Sequence, residues 1–226
     1  MLEHNRKDIL SSKIDYATIS LISNGMRVLI IGAGKAALIK AKTLLKKTCS
    51  VTVISKKISE EFYELSQNNN LQIIKDEYRK SYINDKHLII IAINDDKKLK
   101  EIIEDCENLS KLYLNCTDFK KGNFIMPMSG ETENIGYSIH TKGGSPRISR
   151  YLNKVIKDNL MEYDDFVGYA VGLRKKAKES EFKKEILEFI SSEDFKYMFS
   201  KEKADLVLKM FYGGKNFEYK IGDQKE

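Results

Sequence analysis

The chain has 226 residues, of which 42% are apolar and 32% charged, with two prolines and no tryptophan. That balance excludes a disordered or low-complexity chain and leaves room for one full domain plus smaller appended parts. The formal charge of +6 does not point to nucleic acid, because beyond Glu60 the basic residues are interleaved with acids and no helix-turn-helix or RRM signature is present.

No apolar run approaches the roughly 20 residues of a membrane span, and Met1 to Lys13 is polar without a signal-peptide core, so a cytoplasmic protein with no membrane partner is expected. Cys49, Cys106 and Cys116 are odd in number and lack Cys-x-x-Cys spacing, and they read as reduced, buried thiols. No three-ligand metal site is detectable by spacing, because His4 lies in the polar leader and His87 opens an apolar strand. From Tyr16 through Ser59 there is no acidic residue, while Arg27, Lys35, Lys40, Lys42, Lys46, Lys47, Lys56 and Lys57 accumulate. Something anionic is one explanation. A solvated helix face is the other, and it suits Lys40, Lys46 and Lys47.

In chain order, Asn24-Gly25 signals a hairpin between an extended stretch, Tyr16 to Ile22, and the run Met26 to Ile31, whose continuous apolar character suits a buried central strand. The turn Gly32-Ala33-Gly34-Lys35-Ala36-Ala37 follows, then a helix from Leu38 to Lys47 and a strand from Ser50 to Ile54. A helix over Ile58 to Gln67, strands at Leu71 to Ile74 and His87 to Ile93, a helix from Asp96 to Leu109 and a strand from Lys111 to Cys116 complete the alternation. Such alternation predicts a parallel sheet covered by helices. After Asp118 come two short extended stretches, Asn123 to Met128 and Ile135 to Thr141, separated by a polar turn from Ser129 to Asn134. From Ser145-Pro146 onward the pattern is helical, with Pro146 at a first helical position and Gly213-Gly214 breaking the last segment. The fold class is therefore α/β: a Rossmann-type parallel sheet (residues 1–117), a small β excursion (118–148) and a C-terminal α-helical region (149–226).

The glycine turn carries the first functional expectation. Gly32 permits the tight turn, Gly34 permits close approach of a pyrophosphate, and Ala37 takes the third small position, with Ala33, Lys35 and Ala36 between them at the helix N-terminus. Gly-x-Gly-x-x-Ala alone is weak. Here it follows a predicted buried strand and opens a helix inside one βαβ unit, which is the context that gives it meaning. The acid that usually follows the second strand and holds the ribose is missing, and Ser55-Lys56-Lys57 stands there. Those lysines could accept a 2′-phosphate, or they could be surface charges while Ser55 and backbone groups hold the ribose. NAD is the expected cofactor, with NADP open.

Further motifs appear in order: Ala92-Ile93-Asn94-Asp95, Asn115-Cys116-Thr117-Asp118, Asn123 to Pro127, and Thr141-Lys142-Gly143-Gly144-Ser145-Pro146. With the glycine turn they resemble the precorrin-2 dehydrogenase and sirohydrochlorin ferrochelatase family, the module that also forms the N-terminal part of siroheme synthase, from about Tyr16 to Ile190. The resemblance implies oxidation of precorrin-2 to sirohydrochlorin with a nicotinamide cofactor, and in some members insertion of ferrous iron, on the way to siroheme or cobalamin. It also implies a homodimer, for which Tyr151 to Ala170 with Tyr163, Phe166 and Tyr169 offers an apolar surface. No methyltransferase domain is expected after Glu226.

By the same resemblance Asn94 and Asn115 join the cofactor-binding set, and Asp118 is the catalytic residue. A carboxylate there suits a reaction that removes a proton with a hydride. From the residues alone Asp118 reads more readily as the cap of the turn Asp118 to Gly122, and it is the resemblance that favours catalysis. Thr141, Gly143, Ser145 and Arg147 match the loop that borders the tetrapyrrole. Arg147 and Arg150 suit a substrate with eight carboxylates, or form structural salt bridges. The sequence departs from the family at Thr132, where an arginine is expected, at His140 and Lys142, which replace small residues, and at Ser55-Lys56-Lys57. Two other classes remain: a non-catalytic nucleotide-sensing protein, and a family member that only chelates iron or carries a tetrapyrrole.

Overall fold

The computed structural model describes residues 14–178 and 180–213. Strands β1 (Arg27–Ile31), β2 (Ser50–Ile54), β3 (Leu71–Ile74), β4 (Leu88–Ile91) and β5 (Leu112–Asn115) form one parallel sheet in the order β3-β2-β1-β4-β5. Helices α1 (Lys35–Lys46), α2 (Glu60–Leu65) and α3 (Asp96–Asn108) and two short 3-10 turns, Lys80–Ile83 and Phe119–Lys121, connect them.

Both faces of the sheet are covered, which is why β1 and β4 read as unbroken apolar runs instead of alternating ones. Val28 and Ile30 pack with Ala37, Ala41, Leu44 and Leu45 of α1 and with Phe62 of α2. Leu29 and Ile31 face the other way, against Leu99, Ile102 and Cys106 of α3. Successive strand residues thus serve two cores.

The expected hairpin before β1 does not form. Gly25 makes the turn, with φ +79°, and Met26 N donates to Ser23 O at 3.0 Å, but residues 16–22 are not a strand. The reason is topological. β1 pairs with β2 on one edge and β4 on the other, so it has no free edge for an antiparallel partner. The helix expected over Ile58 to Gln67 is shorter, because the Ser66 hydroxyl donates to Tyr63 O at 2.6 Å and Ser66 closes it.

The chain divides into two compact units, Lys13–Met126 and, among the described residues, Pro127 onward. In the second, β6 (Met128–Glu131) and β7 (Gly136–Ile139) pair antiparallel, followed by α4 (Pro146–Ala177), α5 (Lys183–Phe189), α6 (Glu193–Ser200) and α7 (Ala204–Tyr212). Tyr169, Leu173, Ile186, Phe195 and Leu208 are its core. Pro146 is at the first position of α4, as its fixed φ favours. The apolar surface expected from Tyr163, Phe166 and Tyr169 is divided, since Tyr169 is buried and Phe166 packs against the helical core, while Tyr163 is exposed.

The two stretches expected as a strand and a polar turn are also redistributed. Asn123 is drawn to the edge of β5, where its side chain accepts from Tyr113 N at 2.7 Å and donates to Lys111 O at 2.9 Å. Ser129 to Glu131, expected in the turn, belong to β6 instead. The turn that remains is held by Asp164 of α4. Its buried carboxylate accepts from the Thr132 hydroxyl and from Asn134 N at 3.0 Å and Asn134 Nδ2 at 3.2 Å.

The Thr132 hydroxyl, and then the Asn134 and Glu133 donors, hold the Asp164 carboxyl below the usual carboxylate range against the opposing effect of desolvation. A depressed folded pKa contributes stability that is present above the unfolded value and lost as pH falls through the folded one. Asp164→Asn should therefore lower the Tm by about 5 °C near neutral pH, with the gap to the unaltered chain closing below about pH 4. Thermal melts followed by circular dichroism across pH 2.5 to 7 check this; a gap independent of pH would show that the charge of Asp164 contributes nothing.

Candidate functional site

After β1 the chain moves outward through β2 and β3, then returns to lay β4 on the other side of β1. That reversal opens a crevice outside the carboxyl ends of β1 and β4, where open α/β sheets take their ligands. Gly32 begins the turn there with φ +103°. Its N–H donates to Ile54 O at 2.8 Å, and a Cβ on it would overlap the Ala92 carbonyl oxygen and lie 2.9 Å from the carbonyl carbon. The chain itself requires glycine at this position.

Gly34 is different. Its backbone is extended, with φ −87°, and a Cβ built on it meets nothing within 4 Å. The space above it is open, and it adjoins the start of α1. Ala33 and Ala37 are buried while Lys35 and Ala36 are exposed. The first helical bond runs from Leu38 N to Gly34 O at 3.0 Å, so the amides of Lys35, Ala36 and Ala37 have no acceptor within the helix. With no acid in the first turn of α1 and no side-chain cap, these donors form an anion site of the kind that receives a pyrophosphate.

The other expected cofactor residues lie along the same edge. Ser55 follows β2, donates its hydroxyl to Lys57 O at 2.8 Å and so closes the turn that carries Lys56 and Lys57. Asn94 is exposed after β4, and Asp95 beside it caps α3 by accepting from Lys97 N and Lys98 N, each at 3.0 Å. Asn115 ends β5, 1% exposed; its Oδ1 accepts from Thr117 N at 2.9 Å and Asp118 N at 3.3 Å, while its buried Nδ2 has no partner among the described residues. An orphaned buried donor and an open space over a glycine both fit a dinucleotide that supplies an acceptor and fills the space.

Asp118 follows β5 at the same end of the sheet. One carboxylate oxygen caps the 3-10 turn, accepting from Lys120 N at 3.1 Å. The other has the Lys121 ammonium at 3.9 Å, and the side chain is 41% exposed. Capping and a solvent-reachable oxygen coexist in this residue. Ile14, Tyr16, Phe119, Phe124 and Ile125 line a cavity of about 150 Å³ beside the loop that follows it, smaller than the roughly 300–1,000 Å³ of ordinary ligand pockets.

In the second unit, Thr141 organises the approach to α4. Its hydroxyl accepts from Ser145 N at 2.6 Å and its carbonyl from Gly144 N at 2.8 Å, and Gly144 takes φ +70°. Ser145 is the N-cap of α4 but its side chain makes no cap bond. Gly143 is open, Arg147 is exposed, and Arg150 Nε reaches Pro146 O at 3.4 Å. Among the described residues no three His, Cys, Asp or Glu side chains gather as a metal ligand set.

Lys40 was expected on a solvated helix face and is not fully exposed, and Glu77 was not singled out at all. Lys40 is half-buried, unlike Lys46 and Lys47, and burial pushes its amine down while the neighbouring Cys116 opposes that shift. Its spacing of three from Ala37 and four from Leu44 puts it on the buried side of α1, a signal that the count of lysines concealed. Glu77, after β3, bonds the Lys56 ammonium at 2.6 Å. Only the pairing of β2 with β3 brings them together.

A crevice at the strand reversal, a glycine turn opening a helix and free helical amides define a dinucleotide-binding protein of the Rossmann class. Comparison with known proteins agrees: residues 19–128 match the family described as "Putative NAD(P)-binding". Over 154 residues the chain is 32% identical to a protein of Methanocaldococcus jannaschii described as "Putative precorrin-2 dehydrogenase", covering 65% of this chain and 74% of that one. The chain belongs to the precorrin-2 dehydrogenase family. It is also 25% identical to siroheme synthase 3 of Aeromonas hydrophila, across 73% of this chain but only 36% of that protein. The fold matches that of SirC, a precorrin-2 dehydrogenase, with a TM-score of 0.67 at 20% identity, covering 86% of this chain and 98% of SirC.

Proposed function

We propose that the chain oxidises precorrin-2 to sirohydrochlorin with NAD as hydride acceptor. The observation that carries this reading is the likeness to the M. jannaschii protein described as "Putative precorrin-2 dehydrogenase" over 74% of its length, and an open space above Gly34 at a helix N-terminus supports it. Ala33 to Ala36, Ser55, Asn94 and Asn115 would hold the cofactor, with Gly32 making the turn that presents them. When bound, its nicotinamide ring takes up the hydride.

Asp118 is the proton acceptor in this reading, through the carboxylate oxygen that does not cap the turn. Thr141, Gly143 and Ser145 present main-chain and hydroxyl donors at the N-terminus of α4, and Arg147 adds a cation, so the macrocycle's carboxylates are their natural ligands. A homodimer is proposed through the outward face of α4 that carries Ile148, Tyr151 and Val155, all exposed and spaced to lie on one side of the helix. Insertion of ferrous iron, with Asp118 accepting pyrrole protons, is a second activity of the same kind of site. The cytoplasm is the proposed location; no described helix is long and apolar enough to cross a membrane.

The test is anaerobic incubation of the full chain with enzymatically generated precorrin-2 and NAD or NADP, following the sirohydrochlorin absorption spectrum and fluorescence. Formation of sirohydrochlorin only when a nicotinamide cofactor is present is the expected result. No oxidation with either cofactor would overturn the dehydrogenase reading.

A further inference from the structure

The end of β2 carries two lysines where the dinucleotide fold usually places a ribose-binding acid, and the structure supplies an acid from elsewhere. β2 and β3 pair in register up to Ile54 and Ile74, and Ser55 N still donates to Ile74 O at 3.2 Å. The chain then turns, and Glu77 meets the Lys56 ammonium at 2.6 Å, both side chains more than half exposed.

Glu77 is not free to drift from this position. Its own N–H donates to Asp76 Oδ1 at 2.8 Å, and Asp76 in turn accepts from the Tyr82 hydroxyl at 2.7 Å and pairs with Arg79. On its other side Tyr78 is 8% exposed and its hydroxyl donates to Asp105 at 3.0 Å. Lys56 is held likewise by the Ser55–Lys57 turn. Two anchored backbones therefore present the pair. An exposed ion pair of this kind adds little to stability, so its anchoring is better explained by what it does to the charge at the end of β2.

That charge decides between two ribose chemistries. Lys56 and Lys57 together would suit a 2′-phosphate, which needs cations. With Lys56 paired, the Glu77 carboxylate cancels its charge and brings a hydroxyl acceptor to the end of β2, and the Lys56 bond and charge keep Glu77 ionised to lower pH than an ordinary glutamate. A carboxylate accepts a hydroxyl and repels a phosphate.

Resting on the dinucleotide reading above, we infer that Glu77 takes the place of the missing acid from the neighbouring strand, and that the Lys56–Glu77 pair selects a ribose diol over a 2′-phosphate. Glu77 is thus a specificity determinant for NAD against NADP.

The test measures binding, not turnover. The reduced nicotinamides of NADH and NADPH fluoresce, so each can be followed directly as it is titrated with the full chain. The unaltered chain should bind NADH at least about tenfold more tightly than NADPH, and Glu77→Gln should shift that ratio toward NADPH by about tenfold or more. The double variant Lys56→Gln with Glu77→Gln should keep only part of that gain, because the gain has two sources, the lost carboxylate and the released lysine. A ratio in Glu77→Gln within about twofold of the unaltered one, a gain undiminished by loss of Lys56, or an initial preference for NADPH would each overturn the inference while leaving the dinucleotide site intact. Binding of neither cofactor by the unaltered chain would overturn the dinucleotide reading itself.

Discussion

Asp118→Asn should slow the oxidation of precorrin-2 by about 10²- to 10⁴-fold, the range general-base groups contribute, while the Kd for NADH stays within about twofold of the unaltered value. The substitution is chosen because Asp118 has two jobs that use different atoms. One oxygen accepts from Lys120 N at 3.1 Å, and the carboxamide oxygen of asparagine can keep that bond. What asparagine removes is the charge and the second basic oxygen, which has the Lys121 ammonium at 3.9 Å. Asp118→Ala removes both and should also cost about 1 kcal/mol through the lost cap. Single-turnover oxidation under anaerobic conditions, with thermal melts of both variants, separates the roles. If Asp118→Asn oxidises precorrin-2 at near the normal rate and only Asp118→Ala loses stability, Asp118 is a turn cap and nothing more.

The double reading of Asp118 was present in the sequence, and the structure keeps both halves: one oxygen caps the turn, and the side chain is 41% exposed. The Rossmann unit was legible for a more definite reason. Strands buried on both faces leave unbroken apolar runs, and the run from Val28 to Ile31 and the one from Leu88 to Ile91 are such runs. The glycine turn stood out because it lies between a buried strand and a helix. The same logic misled one step earlier: Asn24-Gly25 does turn the chain, but a local turn signal carries no information about whether the strand after it has a free edge.

What escaped was non-local. Glu77 is 21 residues beyond Lys56 and meets it only because β2 and β3 are neighbours. Thr132 and Asn134 were read as parts of a polar turn, whereas the residue that shapes that turn, Asp164, lies on a helix 32 residues after Thr132. Parallel pairing would have let Glu77 be anticipated, since the residues just past paired strand ends share one edge of a sheet. Nothing comparable announces Asp164, whose acidic side chain in a helix of mixed polarity looks like surface.

Gly32→Ala and Gly34→Ala should fail in opposite ways, although both change one glycine of a single motif. At Gly32 a Cβ would overlap the Ala92 carbonyl oxygen, and the backbone there has φ +103°. The neighbour is main chain of a central strand's end, which cannot rotate aside as a side chain can. Strain of this kind with a buried overlap costs about 2–4 kcal/mol, or a Tm lowered by roughly 10–20 °C for a domain near 100 residues, with NADH affinity reduced only in proportion to the loss of folded protein. At Gly34 the backbone is extended and the space beside it is empty, so alanine should leave the Tm within about 2 °C. The added methyl then stands where the pyrophosphate must approach, and the Kd for NADH should rise by about tenfold or more. Melting curves and NADH titrations of the two variants, side by side, give a crossed result if Gly32 serves the fold and Gly34 the ligand. An unchanged NADH affinity in Gly34→Ala would mean that the open space above this helix is not where the dinucleotide binds.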